Sequence, residues 1–334
     1  MQREGIVGHG IRARGRAVCA VLAALITAAL TASAVTAQPA DKYPDRPIKI
    51  IVPFAPGGST DILARVIAQK MLENWGQQVI VETRPGAATV IGTAAAAQAP
   101  PDGYTLLMTV SNLATNPALH DMLPYDALKD FDPVSLLGRA PIVPYVNPKF
   151  QPRTIKELIA FGKTNPVPFG SAGVASMTHL AAETLKDQHG ISLMQHVVYR
   201  GGSPALNDVL AGTIPMTMAT VTQALPQYQA GLLGALGVTA TERHRSLPEV
   251  PTFREQGFDL VVTEWYGLFA PTGTPKPTVA KLNAEMRRIL ALPLGERVAA
   301  IDLTPSTPEE LGAHLRSEIN RWGPVIKKLG LKAQ

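Results

Sequence analysis

The chain has a single cysteine among its 334 residues, Cys19, and it lies inside an apolar N-terminal segment. The rest of the chain therefore offers no disulfide framework, no thiol nucleophile and no cysteine metal site. His-Glu-x-x-His is missing, no Walker lysine follows Gly57-Gly58, and no G-x-G-x-x-G opens a helix. These absences remove the usual signatures of zinc proteases, P-loop nucleotide hydrolases and dinucleotide enzymes. Ser59, Ser171 and Ser203 stand near glycine, yet none is in G-x-S-x-G, and a hydrolase would need a base and an orienting acid that the sequence does not place. His120, His189, His196 and His244 show no metal spacing. There is no repeat of fixed period and no low-complexity tract.

What is present begins with residues 1–37, which read as an export signal. Arg12, Arg14 and Arg16 form a positive region, residues 18–30 are apolar apart from Cys19 and Thr27, and Ala32-Ser33-Ala34 and Val35-Thr36-Ala37 fit small-residue cleavage sites. Cleavage after Ala37 is the expectation. An uncleaved anchor is the competing reading, and the apolar run is short for it. The full chain carries 31 basic and 26 acidic residues. Losing Arg3, Arg12, Arg14, Arg16 and Glu4 leaves 27 against 25, a net charge near +2. No basic run or basic–aromatic stripe remains, which argues against nucleic acid as a partner.

The rest of the chain is organised around residues 48–61, IKIIVPFAPGGSTD. Ile48, Ile50, Ile51 and Val52 suit a buried strand. Pro53 and Pro56 end it, and Gly57-Gly58 open conformations closed to other residues. Ser59 or Thr60 is the expected cap of a helix ending at Gly76, with Asp61 in its first turn. Strand, glycine turn and helix start together bring free N–H groups and a positive helix end to one place, which attracts anions.

The same alternation continues, with strands expected at 79–82 and 104–110 and a helix through 93–98. Gly86-Ala87 and Ser111-Asn112 fall at strand ends, where parallel doubly wound α/β sheets collect ligands. Residues 131–148 read as an extended, proline-punctuated crossover. A second half follows: a helix at 154–163 capped by Thr154, a strand at 167–169, the loop 170–176 and a helix at 177–186. Further strands are expected at 196–199, 214–221 and 236–240, and helices at 205–210 and 225–230. A returning apolar passage at 260–270 leads to helices at 278–290 and 307–328. Two anion-attracting turns, one in each half, could thus face one another across a cleft.

Taken in order, YPDRPIKIIVPFAPGGSTD, RPGA with Gly92, PDGYTLL, FDPVSLLG, FGSAGVASMTHLAAE, VVYRGGSPALNDVLAG and LPEVPTFREQGF followed by EWYGLFAPTGTP resemble the Bug family, the extracytoplasmic receptors of tripartite tricarboxylate transporters. The resemblance runs from about Tyr43 to Leu331. It implies a periplasmic-binding-protein-like (Venus flytrap) architecture of two doubly wound α/β domains joined by a two-strand hinge, with domain 1 at 38–139 plus 264–334 and domain 2 at 140–263. It implies a monomeric periplasmic receptor, not an enzyme, with no cofactor and no metal. Its partners would be a small carboxylate and the membrane subunits of a tripartite tricarboxylate transporter. A membrane sensor kinase is the alternative partner, and a secreted α/β hydrolase the alternative activity.

Carried over by position, the resemblance places the ligand against Phe54, Ala55, Pro56, Gly57, Gly58 and Ser59, with the amides of Gly57, Gly58 and Ser59 on its carboxylate. Asp61 would order that loop. Ser111 and Asn112 belong to the expected site, as do Ser171, Ala172, Gly173, Ser176 and His179 of the second loop. Tyr199 and Thr220 are expected wall residues. Ala175 and Ala87-Ala88 stand where the family pattern is richer in glycine. Pro215 and Ala219 stand where it often has aspartate, which argues against amino-acid ligands. Trp265 and Tyr266 are expected to pack the hinge, and Arg200 to be a solvated loop residue.

Overall fold

Strand β1 (Ile48–Val52) is buried at every isoleucine and valine, and it runs through Pro53 into helix α1 (Ser59–Trp75). The computed structural model describes residues 43–333, so the expected export signal and its cleavage point lie outside the described residues. The cap of α1 is Gly58, not Ser59 or Thr60, and no side chain caps it. At the other end Gly76 turns left-handed at φ 67 and its N–H returns to the Leu72 carbonyl.

Strand β2 (Val79–Thr83) leads through a tight 3₁₀ turn, Ala87–Thr89, to α2 (Val90–Ala97), β3 (Thr105–Val110) and α3 (Asn112–Leu119). Ser111 and Asn112, expected at the end of a strand, are thus the cap and first residue of a helix. Strand β4 (Phe131–Val146) is a single 16-residue strand. Its prolines are accommodated on an irregular ladder, with register shifts between Pro133 and Ser135 and between Leu136 and Gly138.

The second half holds α4 (Ile155–Gly162), β5 (Val167–Gly170), α5 (Met177–His189), β6 (Met194–Val197), α6 (Gly202–Ala211), β7 (Met216–Thr220), α7 (Val221–Gln229) and β8 (Gly234–Ala235). The strand expected at 196–199 starts two residues earlier. The one expected at 236–240 is not a strand: only Gly234–Ala235 pairs, with an isolated bridge from Val238 to Thr252. Strand β9 (Thr263–Pro271), α8 (Lys276–Leu290), β10 (Asp302–Leu303) and α9 (Pro308–Lys328) complete the order. The last is one helix with Pro324 inside it, opened by a capping box between Thr307 and Glu310.

The strands form a 10-stranded sheet along the path β2-β1-β3-β9-β4-β7-β5-β6, with β8 and β10 at the side of β4. The outer ladders are parallel, β2-β1-β3 at one end and β7-β5-β6 at the other. Two antiparallel strands, β9 and β4, join them. Each half is wound by strand–helix–strand crossovers, which is the two-domain Venus flytrap architecture. Strand β4 belongs to both halves: from Phe131 to Pro141 it pairs with β9, and from Ile142 to Val146 with β7. Helix α9 also serves both. Leu311 and Leu315 pack with Phe131 and Phe269 of the first lobe, whereas Trp322 and Ile326 pack with the core of the second. Trp265 and Tyr266 are fully buried on β9.

Gly92, in the first turns of α2, touches the strand exit that leads to α1. A Cβ there would come within 2.7 Å of the Arg84 carbonyl and within 2.9 Å of Pro53 Cα, both fixed backbone atoms. Gly92→Ala is therefore expected to cost about 1–3 kcal/mol of stability, the usual penalty of overpacking, read by urea unfolding.

Candidate functional site

The first loop, 53–58, and the start of α1 come from the first lobe. The loops 170–176 and 199–203 come from the second. These loops touch. A Cβ at Gly57 would sit 3.7 Å from Ser203 Oγ, and one at Gly201 would sit 3.3 Å from Ala55 Cβ. Thr115 Oγ1 on α3 donates to the Ala175 carbonyl at 2.9 Å. The lobes are closed on one another, and two chambers lie in the cleft.

The smaller, about 30 Å³, is lined by Phe54, Ala55, Gly58, Ser59, Ala172 and Thr220 among the expected residues. Thr60, Thr178, Gln223 and Glu264, which sequence reading did not select, also line it. The first intrahelical bond of α1 runs from Ile62 N–H to the Gly58 carbonyl, so the amides of Ser59, Thr60 and Asp61 precede the helix ladder. Gly57 differs from expectation. Its φ is +80°, and its N–H donates to Asp61 Oδ2 at 2.9 Å, so that amide is already engaged. Asp61 is buried and also accepts from Arg65 Nε at 3.0 Å, which ties loop and helix together. Pro56 is exposed, away from both chambers.

The larger chamber, about 300 Å³, abuts the first through Phe54 and Ala172. Asn112, Gly173 and Tyr199 line it, together with the 86–89 turn, His120 and Arg200. The Tyr199 hydroxyl is spent on Asp208 Oδ2 at 2.6 Å, and burial with that carboxylate pushes the phenol up to about 12. Arg200 is exposed at the rim.

Ser171, Ser176 and His179 lie beneath the second loop and line neither chamber. Ser176 caps α5, accepting from His179 N–H at 3.3 Å, and its hydroxyl donates to the Gly173 carbonyl at 2.7 Å. The His179 ring accepts at Nδ1 from Ala175 N–H at 3.1 Å, and it stacks on His196 with centroids 3.8 Å apart. Burial first, then the charge of His179, pulls His196 down to about 3. Its Nε2 lies 2.7 Å from Ser171 Oγ. That pair resembles a nucleophile and its base, but Ser171 is fully buried and cannot reach a substrate. Ser111 is likewise buried: its N–H donates to Glu264 Oε1 at 3.1 Å.

The substituted glycine positions carry strain. Ala87, Ala88 and Thr89 stand at φ 45, 50 and 80°, and Ala175 at 54°. Left-handed backbone costs a residue with a Cβ roughly 1–2 kcal/mol. Ala87 is exposed and loses little packing on truncation. Ala87→Gly is therefore expected to raise stability by about 1 kcal/mol, seen as a higher melting temperature. Among the described residues, no group of three or more His, Cys, Asp or Glu is placed to hold a metal, and no helix is long and apolar enough to cross a membrane.

A family model described as "Tripartite tricarboxylate transporter family receptor" matches residues 63–331. Protein BugT of Bordetella pertussis is 37% identical over 301 residues, covering 88% of this chain and 92% of that one. Among solved structures, the periplasmic binding protein BugD superposes with a TM-score of 0.83 at 34% identity, covering 87% of this chain and 100% of that one. R. palustris Rpa4515 with adipate gives 0.83 at 30% identity, covering 87% and 99%. MatC from Rhodopseudomonas palustris with bound malate gives 0.80 at 31% identity, covering 85% and 100%.

Proposed function

The chain belongs to the tripartite tricarboxylate transporter receptor family, the Bug proteins, and from that premise we propose that it is a periplasmic receptor that captures a small organic carboxylate between its lobes and hands it to the membrane subunits of such a transporter. The observation that carries this reading is the start of α1. The amides of Ser59, Thr60 and Asp61 precede the helix ladder, and Gly58, Ser59 and Thr60 line the small chamber together with Ala172 and Thr178 of the second lobe, which supports an anion site made of backbone and helix dipole. The adipate and malate seen in two neighbours point to the same ligand class.

Gly58, Ser59 and Thr60 hold one carboxylate in this scheme, and the larger chamber takes the rest of the ligand. Opening proceeds about β4 and β9, the strands shared by the lobes, with the partner change between Pro141 and Ile142 as the pivot. Residues 1–37 act as the export signal, removed after Ala37, and the mature receptor works as a monomer.

A thermal-shift screen of residues 38–334 against carboxylates, amino acids, sugars and nucleotides tests the reading, because a ligand of the folded state raises the melting temperature by mass action. Shifts confined to carboxylates are expected. A shift with sugars or nucleotides alone would overturn the ligand class.

A further inference from the structure

The small chamber places a carboxyl group beside the point where an anion is drawn in. Glu264, on β9, is 4% exposed and lines that chamber together with Gly58, Ser59 and Thr60. Its Oε1 accepts from Ser111 N–H at 3.1 Å and from Trp265 N–H at 3.2 Å. The groups that face it offer no counter-charge. From α9 comes Glu318, a second acid, which accepts from Trp322 Nε1 and lies 3.8 Å from Arg321. From β9 comes Tyr266, whose hydroxyl is turned to Ser59 and Thr220. From β7 comes Thr220, and from the start of α3 comes Ser111. On the adjoining strand β4 the cation Arg139 pairs with Trp265, next to the Ala140 that pairs with Glu264, and so points to the opposite face of the sheet.

An ionised Glu264 and a ligand carboxylate in one chamber would repel each other at low dielectric, where two acids cannot both keep their charge. A neutral Glu264 reverses the sign of the contact. Its O–H becomes a donor to the anion, a charge-assisted bond of the strong kind. Resting on the carboxylate-receptor reading, we propose that Glu264 is a specificity-determining residue of the cleft: it enters the complex protonated, donates a hydrogen bond to the carboxylate held over the start of α1, and so ties the binding of each anion to one proton. The balance is simple. Above neutral pH the glutamate takes a proton from solvent as the ligand enters, and it returns that proton on release. Burial already pushes the free carboxyl up to about 7.

The test is titration calorimetry of the mature receptor with succinate, malate and adipate at pH 6 and pH 8, each in two buffers of different ionisation heat. Only the protonated fraction is competent, so affinity should be about tenfold weaker at pH 8. The heat at pH 8 should depend on the buffer as for uptake of close to one proton. Glu264→Gln keeps a donor without a charge and should abolish both the pH dependence and the buffer dependence. Equal affinity at the two pH values, affinity that rises with pH, or an unchanged slope in Glu264→Gln would each overturn the proposal. If none of the three acids binds, the receptor reading fails for them, and the glutamate is judged on the free protein by carbon NMR of its carboxyl. Titration near neutrality, with the signal missing in Glu264→Gln, then supports the neutral donor. Titration at an ordinary carboxyl value overturns it.

Discussion

Replacing Ser59 by proline should weaken carboxylate binding by ten- to a hundredfold while leaving the melting temperature near that of the unmodified protein. Ser59 is the first residue of α1, where proline is well tolerated. Gly58 before it has φ −74° and ψ 165°, the extended conformation that a residue preceding proline requires. The substitution therefore removes one amide donor without straining the turn. A hydrogen bond to a charged group contributes roughly 1.5–3 kcal/mol net. Each 1.4 kcal/mol is about a factor of ten in affinity. Ser59→Ala separates the hydroxyl from the amide: it keeps the N–H and should lose much less. Gly58→Pro also deletes a donor, but the residue before it, Gly57, stands at φ +80°, outside the extended region a residue preceding proline takes, so this variant should lose affinity and also melt at a lower temperature. Calorimetry with the best carboxylate from the thermal screen reads all three. Unchanged affinity in both proline variants would move the anion away from α1.

This first loop was legible in the sequence because its signals are local. A β-branched strand, two prolines, two glycines and a helix start within 14 residues leave the chain few alternatives. Even there one of the three expected amides, that of Gly57, is already engaged. Gly57 donates to Asp61, a contact four residues along the chain that depends on the turn's geometry rather than its composition. The strand expected at 236–240 failed for a different reason. Leu236 and Val238 are buried in the cores of the second lobe, but the backbone bonds diverge, Val238 N–H to the Pro251 carbonyl and Thr239 N–H to the Ile142 carbonyl of β4, so period alone could not tell strand from buried coil. Glu264 was invisible because nothing beside it in sequence marks it. It becomes part of the site only when β9 lies between β3 and β4 and Thr220 arrives from the other lobe. An acid three residues before Gly-Leu-Phe-Ala in an apolar strand was the available signal, since such a residue is rarely buried without a reason.

Two buried groups of opposite kind tilt the stability of the empty receptor in opposite directions with pH, and removing either one should expose the tilt of the other. Burial raises Glu264 from 4.5 to about 7. Its stability contribution is complete below 4.5 and is lost as pH rises to and through 7. Burial, reinforced by His179, lowers His196 from 6.5 to about 3. Its contribution is complete above 6.5 and is lost as pH falls toward 3. Between pH 5 and pH 8 each group shifts stability by about 2 kcal/mol, in opposite directions. The two nearly cancel. Glu264→Gln should therefore become less stable than the unmodified protein at pH 5 by about 2 kcal/mol more than it does at pH 8. His196→Gln should show the reverse, because it leaves the glutamate's loss on the alkaline side uncompensated. Urea unfolding of the three proteins at both pH values measures this as a difference of differences, in which any constant cost of the substitution drops out. Parallel profiles for all three would mean that neither group stays in its buried, uncharged form.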